Sequence, residues 1–462
     1  MTSATIPATP TPSDPHPLAH AAAATTDRSD RFCVIGAGTS GLAVIKNFAE
    51  HGIPVDCLER HHTLGGNWCY GHPASSVYRS THLISSKKLT EYVDFPMPED
   101  YPEYPSHELV FEYLKNYASH FGLEQHIEYN TPVRSVRRLQ NSASEQASGW
   151  HVELESGEVR RYRGLVIANG HNWDPRWPEI PGQFDGLVLH SSEYKTPDVL
   201  EGKRVLVVGA GNSGCDIAVE SAGHATRTFH SFRRGYYFLP KFYRGLPIDL
   251  VGERMLWLRL PLAIRRVMAH VVIRLMLGNL RELGLPKPDH RLFETHPIIN
   301  SQLAYHLAHG DIAIKPDVAE LCGSEVRFAD DSREPTDVLI YATGFKITIP
   351  FIDPAELNWQ DQRPELYLNI FHPERDDLMV CGLIQPDSGQ WGLVDCQARL
   401  MAHYIKGLDQ GRPSALRFRE QKRKTRAELN RGIRYIPSPR HLLEVEHFSY
   451  RRTLEKLARR LK

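Results

Sequence analysis

Two stretches of the chain carry the same order of apolar, glycine and helical positions. Phe32 to Ile35 is a short apolar run, GAGTSG follows from Gly36 to Gly41, and apolar residues then recur at helical spacing through LAVIKNFAEHG. Val205 to Val208, GAGNSG from Gly209 to Gly214 and CDIAVESAGHA repeat that order. Each predicts a buried parallel strand, a tight glycine turn and a helix. Two more apolar runs end in small residues, YRGLVIANG (Tyr162 to Gly170) and TDVLIYATGF (Thr336 to Phe345). The first is expected to close the leading segment of the first unit, and the second to lead the chain back into it. The second unit is then an insertion near residues 173–335, with the Pro-rich WDPRWPEIPG at the first crossing.

One stretch breaks these patterns. LWLRLPLAIRRVMAHVVIRLMLGNL, Leu256 to Leu280, is apolar with interspersed arginines, within an inserted helical segment of about 245–285. It is too charged to span a bilayer. Pro261 rules out one straight helix. A buried helix pair, a lid over a substrate passage and a membrane-surface helix all fit. The first thirty residues are rich in Pro, Ala, Ser and Thr and lack an apolar centre, which predicts a disordered or extended tail and no secretory signal.

The loops bring the chemistry. In the first, Gly36 permits the turn, Gly38 lets backbone approach a pyrophosphate, and Gly41 lets helix and strand pack closely. The phosphates face the helix N-terminus. The next strand ends at Glu59, placed to accept hydrogen bonds from ribose hydroxyls. That carboxylate disfavours a 2'-phosphate, and FAD or NAD both satisfy it. LGGNWCYG follows: Gly65 and Gly66 allow close backbone passage, and Trp68 either covers the ligand or fills core. In the second loop Gly209, Gly211 and Gly214 take the same roles, with Asn212 and Ser213 between them. The position matching Glu59 is Phe232, followed by Arg233 and Arg234. Guanidinium groups suit a 2'-phosphate through paired charged hydrogen bonds. The second site therefore favours NADPH and leaves NADH use open. Thr343 and Gly344 end the second apolar run and suit close backbone approach to a ligand. Two different dinucleotides in one chain point to electron transfer from NADPH to FAD. The expected fold is α/β with two dinucleotide-binding Rossmann-like domains, the NADPH domain inserted into the FAD domain. A tail spans 1–30, a first FAD-binding segment 31–172, the NADPH domain 173–335, and a second FAD-binding segment with a C-terminal extension 336–462.

Composition narrows the partners. The 462 residues hold 55 Lys plus Arg against 55 Asp plus Glu, which does not suit a nucleic-acid binder. Seven scattered cysteines with no CxxC pair fit reduced thiols in a cytoplasmic protein and exclude a disulfide relay. Neither a metal-ligand cluster nor a supported Ser–His–Asp arrangement stands out, so no metal is expected. His171 and His296 read as hydrogen-bonded structural residues.

FDGLVLHSSEY, Phe184 to Tyr194, resembles the FxGxxxHxxxY fingerprint of class B flavoprotein monooxygenases, in particular the flavin-containing monooxygenases. Ser76 to His107, GLPKPDHRLFETHPIINSQL and CGLIQPDSGQWGLVDCQARL look like the same family. The resemblance runs from Arg31 to about Ile405. It implies that Phe184, Gly186, His190 and Tyr194 lie at the domain junction and couple NADPH binding to catalysis, and that Gln385 and Pro386 lie near the flavin. It implies NADPH reducing FAD, a C4a-(hydro)peroxyflavin formed with dioxygen, and one oxygen atom inserted into a small organic sulfide, amine or ketone. It also implies a homodimer. One position departs. Matching Tyr78 and Asp94-Phe95-Pro96 to the family pattern puts Ile84 where an asparagine is expected near the flavin. An isoleucine side chain cannot hydrogen-bond. His82, two residues earlier, would share a strand face with it and substitute, or is an ordinary core or surface histidine. The departure leaves room for a Baeyer–Villiger enzyme making esters or lactones from ketones, and an NADPH oxidase releasing hydrogen peroxide is the other alternative.

Overall fold

The structure, a computed structural model, describes residues 25–139, 149–258, 260–424 and 427–462. The expected tail lies outside these residues only as far as 24. Its last residues are a correction: Thr25–Ile35 is one strand. Thr25 to Arg28 pair with Val159 to Tyr162. The Thr26 hydroxyl donates to Glu158 at 3.0 Å, and Arg31 pairs with Asp56 at 3.0 Å. This extension is polar and mostly exposed, so it carries no apolar period to betray a strand.

The first sheet runs Ile127–Glu128, Val55–Leu58, Thr25–Ile35, Val159–Ile167, Trp150–Leu154 and Val133–Arg138, and Leu378–Val380 also pairs with Val159–Ile167. The strands either side of Thr25–Ile35 are parallel to it, as their near-continuous apolar runs require. The second sheet is parallel throughout: Ile312–Lys315, Arg227–Ser231, Arg204–Val208, Val338–Tyr341 and Leu187–His190.

That second order corrects a border. Val338–Tyr341 belongs to the second sheet, so TDVLIYATGF closes the inserted unit and does not return the chain to the first. The return comes at Phe345–Lys346, which pairs antiparallel with Asp174–Pro175. Both crossings thus share one ribbon. An apolar run ending in small residues looks alike in either sheet, because its partners are distant in sequence.

The C-terminal segment is no appendage. Helix Trp391–Asp409 packs on helix Thr39–Glu50 and on the last helix, His447–Leu461. The apolar insertion forms two helices, Ile248–Trp257 and Leu262–Leu277, broken before Pro261 as expected. They are not a buried pair. Ile264, Val267, Met268, Val271 and Leu275 form one exposed stripe, with Leu275 75% exposed, and only Arg265 and Ala269 of that helix are buried. A helix with arginines scattered among its apolar residues does not declare in sequence which face is covered. Among the described residues no helix is long and apolar enough to cross a membrane.

Candidate functional site

The two glycine loops are built alike. Gly36 has φ of 103° and Gly209 of 115°, values that side chains resist. A Cβ on Gly41 would sit 1.9 Å from the Gly36 carbonyl oxygen, and one on Gly214 1.9 Å from that of Gly209. The helices therefore begin directly under their strands, Gly38 and Gly211 at their N-caps. Each first glycine is held from the next strand. The Cys57 thiol donates to the Gly36 carbonyl at 3.6 Å, and His230 Nε2 to the Gly209 carbonyl at 3.0 Å. Each is also flanked by a small-residue strand end: Ala168 beside Gly36, Ala342 beside Gly209. Thr343 and Gly344 follow Ala342, and so stand by the second loop. Thr343 Oγ1 donates to the Arg176 carbonyl at 2.5 Å.

The likeness ends at the strand tips. Glu59 is buried; its Oε2 accepts the Ala37 amide at 2.7 Å and its Oε1 the His61 amide at 3.0 Å. Those bonds aim the carboxylate at the loop, while burial pushes it up from the ordinary carboxylate range. At the second tip Phe232 is buried against His230, Arg233 is exposed with no ion pair among the described residues, and Arg234 lies 4.0 Å from Asp289.

The first loop opens on a cavity of about 290 Å³. Gly36, Gly38, Glu59, Gly66 and Trp68 all line it. Gly66 sits against Gly38, where an added Cβ would come within 3.1 Å of that glycine's Cα. Trp68 also meets Trp391 edge-on, with ring centroids 6.0 Å apart. Three residues that no sequence pattern singled out share the wall. His61 and His72 pack ring against ring, each with a buried Nε2 that has no partner. Burial and His72 push His61 down to about 4. Gln390 lines the cavity too, its amide donating to the Gly382 and Ile384 carbonyls. Proximity in sequence to Glu59 and Gln385 is the only signal for these three.

Other expected residues fall elsewhere. Gln385 stands off the cavity wall, on a short strand paired with Glu444. His82 and Ile84 are not in a strand, so the shared-face argument fails. His82 makes one isolated bridge to Ser106, and its Nδ1 meets the Ser80 carbonyl at 2.8 Å; neither residue lines the cavity. His190 is wholly buried at the crossing ribbon. Ser192 N donates to its Nδ1 at 3.2 Å, and its Nε2 donates to the Gly344 carbonyl at 3.1 Å. Gly186 leaves no room for a Cβ beside the Asp337 carbonyl, and the Tyr194 hydroxyl donates to Glu220 at 2.6 Å. Asn212 Oδ1 accepts the Ile299 amide at 3.1 Å, tying the second loop to the chain after the insertion. His171 lines the cavity, and burial pushes it down to about 4. His296 Nδ1 is buried without a hydrogen-bond partner, against expectation. No metal-binding group of acid, histidine or cysteine side chains occurs among the described residues.

Two glycine loops with unlike strand tips on two sheets define a two-dinucleotide oxidoreductase. The model of the flavin-binding monooxygenase-like family matches residues 29–459, and the chain belongs to that family. It is 33% identical over 445 residues to flavin-containing monooxygenase 5 of Rattus norvegicus, covering 93% of this chain and 82% of the relative. To dimethylaniline monooxygenase [N-oxide-forming] 2 of the same organism it is 33% identical over 400 residues, 82% of this chain and 74% of that one. Among solved structures, an oxidised steroid monooxygenase bound to NADP matches 93% of this chain and 98% of its own with a TM-score of 0.69, at 18% identity. The protein is an FAD- and NADPH-dependent monooxygenase.

Proposed function

We propose that the first cavity holds FAD and the second loop NADPH, and that the enzyme oxygenates small organic molecules bearing a soft sulfur or nitrogen nucleophile. The unpartnered His61 and His72 nitrogens, the backbone cradle of Gly38 and Gly66, and Glu59 suit a dinucleotide with free ribose hydroxyls. When bound, FAD would supply the redox chemistry that links NADPH to dioxygen. The chain's own residues bind and orient. Glu59 accepts the ribose hydroxyls, the amides at the N-terminus of Thr39–Glu50 face the pyrophosphate, and Trp68 with Trp391 walls out water. Gly209, Gly211, Asn212, Ser213 and Gly214 shape the second phosphate site, and Arg233 with Arg234 takes the 2'-phosphate. His190 is a positioning residue that pins Gly344 and the crossing ribbon between the units.

The overall reaction balances: a dialkyl sulfide, dioxygen, NADPH and a proton give the sulfoxide, NADP+ and water. The observation that carries a heteroatom substrate is the relative whose name specifies N-oxide formation, at 33% identity. Ile84, in place of the family's asparagine, favours ketone oxidation as the second reading. Turnover of methyl phenyl sulfide and of cyclohexanone with NADPH separates them. One sulfoxide per NADPH, with little peroxide, supports the heteroatom reading. Lactone as the main product supports the ketone reading, and peroxide equal to NADPH with no product supports an oxidase. We place the protein in the cytoplasm, because all seven cysteines are unpaired and five are buried. A homodimer rests on the family resemblance and is checked by light scattering.

A further inference from the structure

In the C-terminal segment, against the inserted helix, lies a group of charges that the reaction above leaves unused. Three carboxylates meet there, Asp387, Glu444 and Glu446. Glu444 is 5% exposed, yet neither of its carboxylate oxygens has a hydrogen-bond partner. His296 Nδ1 approaches it only to 3.7 Å. Glu446 is fully buried; its Oε2 accepts the Ser449 amide at 2.9 Å, and its Oε1 is unpartnered. Asp387 Oδ1 accepts the His447 amide at 2.9 Å, and desolvation together with the charge of Glu446 pushes its carboxyl up.

The groups facing them are also unsatisfied. Arg265, from the inserted helix, is 6% exposed with an unpartnered Nε, and the charges of Glu446 and Asp387 act on it. His447 is 6% exposed with an unpartnered Nδ1, and the Tyr435 hydroxyl, close to all three acids, has no partner either. Two buried acids and a half-buried one against one buried arginine leave negative charge in excess, which is costly unless a cation or a proton joins them. Orphaned polar atoms at this density mark a place where something polar binds.

Location says what that is. Gln385 and Pro386 pair with Glu444 and Val445, and five residues after Gln385 the same chain lines the first cavity with Gln390 and Trp391. On the other side, His296 stands three residues before Ile299, whose amide is held by Asn212 of the second loop. Through Arg265 the insertion covers the group. The acids thus stand between chain that lines the first cavity and chain that is tied to the second loop, where a substrate that takes an oxygen atom at a flavin held in the first cavity has to reach.

We propose that Glu444, with Asp387 and Glu446, forms a subsite for a cationic end of the substrate, an alkylammonium or guanidinium group, and that the oxygenated sulfur or nitrogen is a second, uncharged atom of the same molecule. A protonated nitrogen has no lone pair to give, so the ammonium is the handle and not the reacting centre. An organic cation suits the group because its N–H donors match the orphaned oxygens, whereas no metal-binding group occurs among the described residues. The identity of the reacting atom rests on the heteroatom reading above; the cationic subsite does not.

Two sulfides with the same thioether test it on the FAD-loaded enzyme: 2-(methylthio)ethylamine, an ammonium at neutral pH, and 2-(methylthio)ethanol. The ammonium sulfide is expected to show kcat/KM about 30-fold above that of the alcohol, carried in KM, as a charge-assisted hydrogen bond implies. Glu444→Gln, and separately Asp387→Asn in case the first variant does not fold, should shrink that ratio to about 3-fold or less. Equal kcat/KM for the two sulfides in the parent enzyme, or a ratio kept in a folded variant, overturns the subsite. Failure to oxidise either sulfide would count against the heteroatom reading alone. In that case the flavin difference spectrum of the oxidised enzyme, titrated with n-propylammonium and with 1-propanol, decides. Tighter binding of the ammonium that Glu444→Gln removes supports the subsite, and equal binding refutes it.

Discussion

The first and second glycine loops are nearly superposable in logic and opposite at their tips. Each has a left-handed first glycine, a third glycine jammed against it, and a small-residue strand end at its flank. Glu59 then ends one strand, and Phe232, Arg233 and Arg234 end the other. In the function proposed above, the shared architecture makes a pyrophosphate site and the tip selects the ribose. A second contrast lies beneath the loops. The bond to the first glycine's carbonyl comes from Cys57 in one unit and His230 in the other. Burial pushes the Cys57 thiol up, out of reach of titration, and pushes His230 down to about 4. Acid thus leaves the first unit's donor unchanged, while in the second it places a charge on a buried ring whose Nδ1 has no partner.

The contrast is broken hardest by filling the third glycines. A methyl at Gly41 or Gly214 meets a carbonyl oxygen at 1.9 Å, which no rotamer relieves. Gly41→Ala should purify with its flavin content down on the order of tenfold. Gly214→Ala should hold flavin and lose reduction by NADPH. Absorbance at purification and stopped-flow reduction read the two. Flavin lost from Gly214→Ala but kept in Gly41→Ala would reverse the assignment of the loops.

Acid is next in size. His230 is wholly buried, its Nδ1 has no partner, and its proton must stay on Nε2 to hold Gly209. A folded value near 4 against an ordinary 6.5 contributes about 3 kcal/mol of stability at neutral pH. The unfolded chain binds the extra proton, so this stability is complete above pH 6.5 and is lost as pH falls through the window down to about 4. Other buried histidines, His372 and His447 among them, act in the same direction. His230→Gln keeps an N–H donor and removes the titration. Thermal unfolding at pH 5 should then fall less than in the parent enzyme, and an unchanged fall would clear His230 of any role in it.

Much of this contrast is legible in the amino-acid sequence. A glycine that needs a positive φ, a glycine that must lack a Cβ, and an acid at a strand tip are local demands, and local demands are written in consecutive residues. The wall of the cavity is not local. His61, His72 and Gln390 reach one wall from different loops, and only their closeness in sequence to Glu59 and Gln385 hints at it. The sheet that owns Val338–Tyr341 is equally hidden, since pairing partners and not composition decide it. Thr25 to Arg28 look like tail because that strand end is polar and mostly meets water. His82 misleads for a related reason: period-two reasoning presumes a strand, and the chain there makes a single bridge.

At the first tip, Glu59→Gln tests the ribose contact. The amide keeps the shape and loses the charge, and one of its two ends can no longer accept the Ala37 or His61 amide. FAD affinity should fall about 10- to 100-fold, the value of charged hydrogen bonds, by titration of apoprotein with FAD. An unchanged affinity would leave Glu59 as a brace for the loop with no share in holding the ribose.

At the second tip the expected effect is smaller, because two arginines share it. Arg233 is exposed and makes no ion pair among the described residues, so its guanidinium gives up only water on meeting a phosphate. Arg234 must leave Asp289, at 4.0 Å a weak and half-screened partner. Arg233→Ala should therefore raise KM for NADPH about 10-fold, and Arg234→Ala somewhat less, each with less than about 3-fold change for NADH. The double variant should bring the two coenzymes to near parity. Equal losses with NADPH and NADH would mean that the arginines serve the whole dinucleotide or the loop itself, and the tip contrast between Glu59 and the arginine pair would lose its meaning as a selector of the 2'-phosphate.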